Sequence, residues 1–132
     1  YDSVVEKIIK KASGFTHLPF ENAEDLQVVK YDQDGFYKEH HDACCENNEY
    51  CKEFLKRGGQ RLATIVIYLN DDFEGGGTQF PNIGKTFKPK KYSGLLFFNN
   101  CNKESIHQGT PVIKGSKYIC NIWFRESEFL SS

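Results

Sequence analysis

The chain has 132 residues, 39% hydrophobic and 14% aromatic, and its 17 basic and 18 acidic residues leave a formal net charge of -1. That length fits a single domain, residues 1–132, with apolar content enough for one core. The charge balance lacks the basic excess of nucleic-acid or polybasic membrane binders, and no apolar run approaches the roughly 18 residues that a membrane span needs.

The opening residues, YDSVVEKIIKK, lack the long apolar stretch behind a basic start that marks a signal peptide. The sequence contains no methionine, which fits a fragment or a processed form, so the cytoplasm and the endoplasmic reticulum lumen both stay open as compartments. Ser3-x-x-Glu6 is a capping-box pattern. Val4, Val5, Ile8, Ile9 and Ala12 recur at helical spacing before Gly14, so a helix is predicted over 3–13. The rest reads as strands. LQVVKYD (26–32), RLATIVIYLN (61–70), TFKPKK (86–91), SGLLFFN (93–99) and SKYICNIWFRE (116–126) are separated by turn clusters rich in Gly, Asn and Pro. The proline in 86–91 marks an edge strand or a strand end. A mainly β sandwich or barrel follows. Residues 43–60 are charged and end in glycine; they hold at most a short helical turn, EYCKEFLK, and a loop of that length is usually functional or mobile.

YKEHHDACC, residues 37–45, concentrates the chemistry. On extended chain, residues two apart share a face. His40 and Asp42 therefore point together and His41 points away. A third ligand must come from elsewhere, and the remaining histidines are His17, in THLPF, and His107, in SIHQGTPV. Two histidines and one carboxylate on a β scaffold form the facial triad that holds Fe(II) and leaves open coordination positions. A cysteine-containing zinc site fits poorly, because Cys44-x₆-Cys51 is too widely spaced and no second pair follows. The five cysteines, 44, 45, 51, 101 and 120, allow one or two disulfides, most easily Cys44 or Cys45 with Cys51, and equally allow reduced thiols.

Along 116–126, alternation puts Lys117, Ile119, Asn121 and Trp123 on one face, and Tyr118, Cys120, Ile122 and Phe124 on the other. A lysine pointing inward is costly unless it meets an anion. A dicarboxylate cosubstrate would be one; the plainer reading is a strand-end lysine that reaches solvent.

AEDLQVVKYDQDGFYKEHHD, RLATIVIYLNDDFEGGGTQFP and HQGTPVIKGSKYICNIWFRE resemble the catalytic domain of the prolyl 4-hydroxylases. These are Fe(II)- and 2-oxoglutarate-dependent dioxygenases on a double-stranded β-helix, or jelly roll. The resemblance runs from about Pro19 to Glu126. It implies His40, Asp42 and His107 as iron ligands and Lys117 as the partner of the far carboxylate of 2-oxoglutarate. It implies Tyr31 and Thr78 as hydrogen-bonding partners of the same cosubstrate, with Tyr68 on the strand face of Val66 and Thr64 as a further contact. Tyr37, Arg61 and Trp123 match positions lining the peptide groove, and 43–60 matches a mobile lid. Arg125 stands where the collagen-type enzymes usually carry histidine, in the path of the peptide. Lysine at 117 resembles the collagen-type, plant and algal enzymes; the oxygen-sensing and lysyl hydroxylases mostly carry arginine. The implied reaction is hydroxylation of peptidyl proline at C4, consuming O₂, releasing succinate and CO₂, and using ascorbate as reductant. The partner is then a proline-containing peptide, with no nucleic acid and no membrane span. Two rival readings are the same chemistry on another side chain or a small molecule, and a non-catalytic jelly-roll binding module. The family's domain starts earlier than this chain does, so part of an N-terminal supporting segment is expected to be missing.

Overall fold

The computed structural model describes residues 2–131. Helix α1 (Ser3–Thr16) leads into strands β1 (Gln27–Tyr31) and β2 (Tyr37–His40), followed by a short helix α2 (Glu49–Leu55). Then come β3 (Arg61–Tyr68), β4 (Glu74–Gly75), β5 (Thr78–Phe80), β6 (Lys85–Phe87) and β7 (Gly94–Phe98). The last strands are β8 (His107–Gly109), β9 (Val112–Lys114) and β10 (Lys117–Arg125). One antiparallel sheet runs β1-β10-β3-β7 and a second runs β2-β8-β5-β6, with β4 and β9 paired apart. The two four-stranded sheets meet through cross-sheet contacts such as Phe97 on Phe80 and His107. This is the expected mainly β jelly roll with an N-terminal supporting helix.

β3 and β10 form the centre of the first sheet, and both are covered on two sides. On the outer face Ala63, Ile65, Ile122 and Phe124 pack with Ile9 and Ala12 of α1 into one buried cluster. Each large apolar side chain so buried contributes about 1.5–3 kcal/mol. On the inner face Val66, Tyr68 and Ile119 form a second cluster that turns toward the other sheet.

α1 departs from expectation at both ends. Asp2, not Ser3, caps it, its carboxylate accepting from Val4 N at 2.7 Å. The helix continues past Gly14 to Thr16 and stops at His17, which takes a left-handed conformation (φ 59°). Its end is closed by His17 N donating to Ser13 O and by Leu18 N donating to Thr16 Oγ1, so the polar side chains after Gly14 supply the stop. His17 is exposed at that cap and has no part in the metal-ligand cluster. β6 ends at Phe87, short of the proline, and lies at a sheet edge. EYCKEFLK does form α2, with Asn48 accepting from Cys51 N at 2.9 Å.

Candidate active site

His40 ends β2, and its register partner on the neighbouring strand is His107, the first residue of β8. Asp42 follows two residues beyond the end of β2. One ligand atom from each of these three lies within 4.8 Å of the others. The histidine tautomers are set from behind. His40 Nδ1 meets Lys38 O at 2.7 Å and His107 Nδ1 meets Ser105 O at 2.9 Å. A carbonyl can only accept, so each Nδ1 carries a proton and each Nε2 faces inward. Both Nε2 atoms point at the same Asp42 oxygen, Oδ1, at 3.1 and 3.2 Å. The other oxygen, Oδ2, accepts from Thr64 Oγ1 at 2.8 Å and Trp123 Nε1 at 3.1 Å. Thr64 in turn accepts from Asn99 Nδ2 at 2.8 Å.

Burial works against the Asp42 charge, but the hydrogen bonds from His107, His40 and Thr64 and the charge on His107 hold its carboxyl far below the usual range. Burial likewise disfavours a cationic His107, yet Asp42 and the Ser105 carbonyl raise its pKa above the ordinary imidazole value. A divalent ion between these groups takes over the part that a proton plays in the free protein.

A cavity of about 640 Å³ opens over the triad, within the usual range for a small-molecule or peptide-end site. Its buried end holds Lys117, Tyr31, Thr78, Val66 and Ile119. Lys117 is 3% exposed. Its Nζ donates to Gly76 O at 2.9 Å and lies 4.7 Å from the centre of the Tyr31 ring. Among the described residues it pairs with no carboxylate, and burial lowers its pKa to about 8. Gly76 (φ 66°) can carry that carbonyl to the ammonium because it has no side chain; a Cβ there would stand 3.0 Å from Lys117 Cδ and 2.8 Å from the Phe73 ring. Thr78 Oγ1 is held 2.5 Å from the Tyr68 hydroxyl, so Tyr68 acts behind Thr78.

At the open end stand Tyr37, Tyr50, Phe54, Arg57 and Trp123. Tyr37 is 49% exposed and its ring lies 4.1 Å from that of His40. Arg61 lines the cavity, but its guanidinium is committed. It makes two bonds to Glu24 (2.6 and 3.0 Å) and stacks 4.0 Å from the centre of the Trp123 ring, so it shapes the wall. Residues 43–60 lie over this end and are fastened at the base. The Gln60 side chain bonds both the N–H and the carbonyl of Cys44, and a disulfide joins Cys44 to Cys51.

Arg125 does not line the cavity. It is 1% exposed, donating to Glu24 Oε2 at 2.7 Å and to the carbonyls of Phe54 and Gly59 at 2.7 and 2.9 Å. The register shift at this point lies in β3, where Leu62 is the extra residue between the partners Ala63 and Arg61. Arg125 stays on the side of Arg61, sharing Glu24 Oε2 and the Phe54 ring with it, and is covered by the segment that holds Phe54 and Gly59. His41 differs from strict alternation, because β2 ends at His40. It is half-buried at the cavity edge, with Nδ1 3.2 Å from Ser105 Oγ.

The residues fit Fe(II) and 2-oxoglutarate. Two neutral imidazoles and a carboxylate suit Fe(II). Disulfides occupy Cys44, Cys45, Cys51 and Cys101, so none of the four offers a thiolate to a competing zinc site. The buried ammonium of Lys117 suits a ligand carboxylate.

A profile described as the 2OG-Fe(II) oxygenase superfamily matches residues 26–125, and the chain belongs to that superfamily. It is 46% identical over 132 residues to a putative prolyl 4-hydroxylase of Acanthamoeba polyphaga mimivirus, which covers 96% of this chain and 54% of that protein. It is 38% identical over 154 residues to prolyl 4-hydroxylase 5 of Arabidopsis thaliana, covering 98% and 51%. The chain thus spans about half the length of the curated relatives it matches. Among solved structures, a viral collagen prolyl hydroxylase from Paramecium bursaria Chlorella virus-1, in complex with 2OG, superposes with a TM-score of 0.76 at 35% identity. The match covers 93% of this chain and 73% of that one.

Proposed function

We propose that this chain carries the active site of a peptidyl-proline 4-hydroxylase that uses Fe(II), 2-oxoglutarate and O₂ and releases succinate and CO₂. The observation that carries the reading is one cavity joining the His40–Asp42–His107 cluster to a buried ammonium without a carboxylate partner among the described residues. Bound Fe(II) with 2-oxoglutarate supplies the activation of O₂, a task that side chains alone do not perform. The protein's own part is orientation. His40 and His107 present Nε2 atoms whose tautomer is fixed by Lys38 O and Ser105 O. Lys117 and Thr78 receive the far carboxylate of the cosubstrate, and Tyr31 forms the wall beside it. Tyr37 and Trp123, with Arg61 behind, offer the flat aromatic surface that suits a proline ring on an extended peptide. The names of the relatives support proline as the target, and a proline-containing peptide is the partner.

Ascorbate fits as the reductant that rescues iron oxidised without substrate turnover. Two disulfides fit maturation in an oxidising compartment such as the endoplasmic reticulum lumen.

The test is a panel of proline-rich peptides incubated with Fe(II), 2-oxoglutarate and ascorbate, read by mass for one added oxygen and by succinate release. Hydroxyproline at C4, absent in His40→Ala, is the expected result. Succinate release without oxygen on any peptide would move the substrate to another side chain or a small molecule. Neither product, together with no anaerobic visible absorption band on mixing Fe(II) and 2-oxoglutarate, would leave a binding module.

A further inference from the structure

Cys44 and Cys45 are adjacent, yet their disulfides run in different directions. Cys44 joins Cys51 seven residues on, within the lid. Cys45 joins Cys101, 56 residues away, in the loop between β7 and β8. Both sulfurs of the second bridge belong to exposed residues.

That second bridge spans the same two chain segments as the metal cluster. Cys45 follows Asp42 by three residues, and Cys101 precedes His107 by six. The β2–β8 pairing reaches only to His40 opposite His107. Asp42 lies past the end of β2, so no ladder fixes its backbone relative to β8. On the opposite side the position of His107 is set through Ser105. Its carbonyl holds His107 Nδ1, and its hydroxyl contacts Asn100 O, Asn102 O and His41 Nδ1. Cys101 sits inside that 100–105 turn. The disulfide therefore ties the backbone beyond one ligand to the turn that orients another.

We propose that Cys45–Cys101 is a positioning crosslink of the metal site, so that metal affinity depends on its redox state and bound metal protects it from reduction. The inference rests on the reading that His40, Asp42 and His107 hold a divalent ion. Reduction is ordinary dithiol exchange. The Cys45–Cys101 S–S bond breaks, the two cysteine sulfurs take up two electrons and two protons, and the dithiol closes to its own disulfide. Because linkage is reciprocal, the factor by which reduction weakens metal binding is the factor by which metal disfavours reduction.

The experiment measures Mn(II) binding to the full chain by calorimetry, comparing wild type with the double variants C45S/C101S and C44S/C51S. We expect C45S/C101S to bind Mn(II) about tenfold more weakly, the lower end of the cost of losing an outer-shell support, while C44S/C51S keeps wild-type affinity. Equal affinity in C45S/C101S, or an equal loss in both variants, would overturn the proposal. A second measurement needs no variant. Wild type is equilibrated with graded dithiothreitol with and without saturating Mn(II), and Cys45 and Cys101 are quantified by alkylation and peptide mapping. Metal should raise the dithiothreitol needed for half reduction of this bridge by the same factor of about ten; no shift would refute the linkage even if the variants fail to fold. Absence of Mn(II) binding by oxidised wild type would instead refute the metal-site reading itself.

Discussion

The two oxygens of Asp42 have separate tasks. Oδ1 faces both imidazoles, while Oδ2 is held by Thr64 and Trp123. Thr64→Val and Trp123→Phe each remove one donor with little change of shape. Each should weaken divalent-metal binding by about tenfold, measured by calorimetry on the folded protein. Lys117 gives a pH signature. In the proposed reading its cation receives a carboxylate, and its pKa in the free protein is near 8, so 2-oxoglutarate affinity should fall as pH rises through that value. Lys117→Arg should flatten the dependence, because arginine keeps its charge; titrations of the metal-loaded protein across roughly pH 6 to 10 would show both. Much of this residue-level picture was legible. Period-two alternation placed Lys117, Ile119, Asn121 and Trp123 on one face, and all four line the cavity. The same rule failed at His41, where the strand has ended, and the placing of Arg125 in the path of the peptide, which rested on the resemblance, missed that Phe54 and Gly59 cover it. The hold of Thr64 and Trp123 on Asp42 joins residues 22 and 81 positions away, and no local pattern announces it.

Strands that build the core and strands that carry the site differ in legibility. β3 and β10 are rich in β-branched and aromatic residues and declare themselves. β2, β5 and β8 read YKEH, TQF and HQG. They are short and polar because they face a wet cavity, so a hydrophobic pattern cannot find them. The lid is tied to the core by Arg125, which bridges Glu24 of the first sheet's flank to the carbonyls of Phe54 and Gly59 and lies 3.8 Å from the centre of the Phe54 ring. Burial opposes the Glu24 charge, but Arg61 and Arg125 together hold its carboxyl below the ordinary range. Arg125→Met removes the guanidinium bonds to the Phe54 and Gly59 carbonyls and one of the three to Glu24. Leaving a buried charge wholly unpaired costs about 3–5 kcal/mol, and because Arg61 still pairs with Glu24 the loss should fall below that range. Urea unfolding should show that loss, and limited proteolysis should cut within 43–60 faster than in wild type.

Across the whole molecule the site is a seam. His40 and His107 belong to the second sheet, Thr64, Trp123 and Lys117 to the first, and Asp42 to a connection between them. An ion bound there holds sheets that otherwise meet through side-chain packing. Any ligand that binds only the folded state adds RT ln(1 + [L]/Kd), about 2.7 kcal/mol at a hundredfold excess over Kd. Thermal unfolding should therefore shift upward on adding Mn(II) and back on adding a chelator, and His107→Ala should abolish the shift. Strand count and turn spacing predicted a mainly β sandwich or barrel, and the resemblance to the prolyl 4-hydroxylases implied the jelly roll. Neither predicted the Cys45–Cys101 bridge, because a separation of 56 residues becomes a contact only once both sheets are assembled.

The glycines at 75–77 give the site an uneven tolerance of change. A Cβ at Gly75 would collide with Pro111 O, one at Gly76 would stand 2.8 Å from the Phe73 ring, and one at Gly77 2.9 Å from Phe87 O. Three consecutive positions are thus closed to alanine, the smallest step a mutation can take, and the middle one carries the carbonyl that meets Lys117. The open end of the cavity, where Tyr37 and Tyr50 are exposed, has no such restriction. In the proposed reading, new substrate preferences can be explored by varying that open end, while the end beside Lys117 is held by residues that cannot gain a side chain.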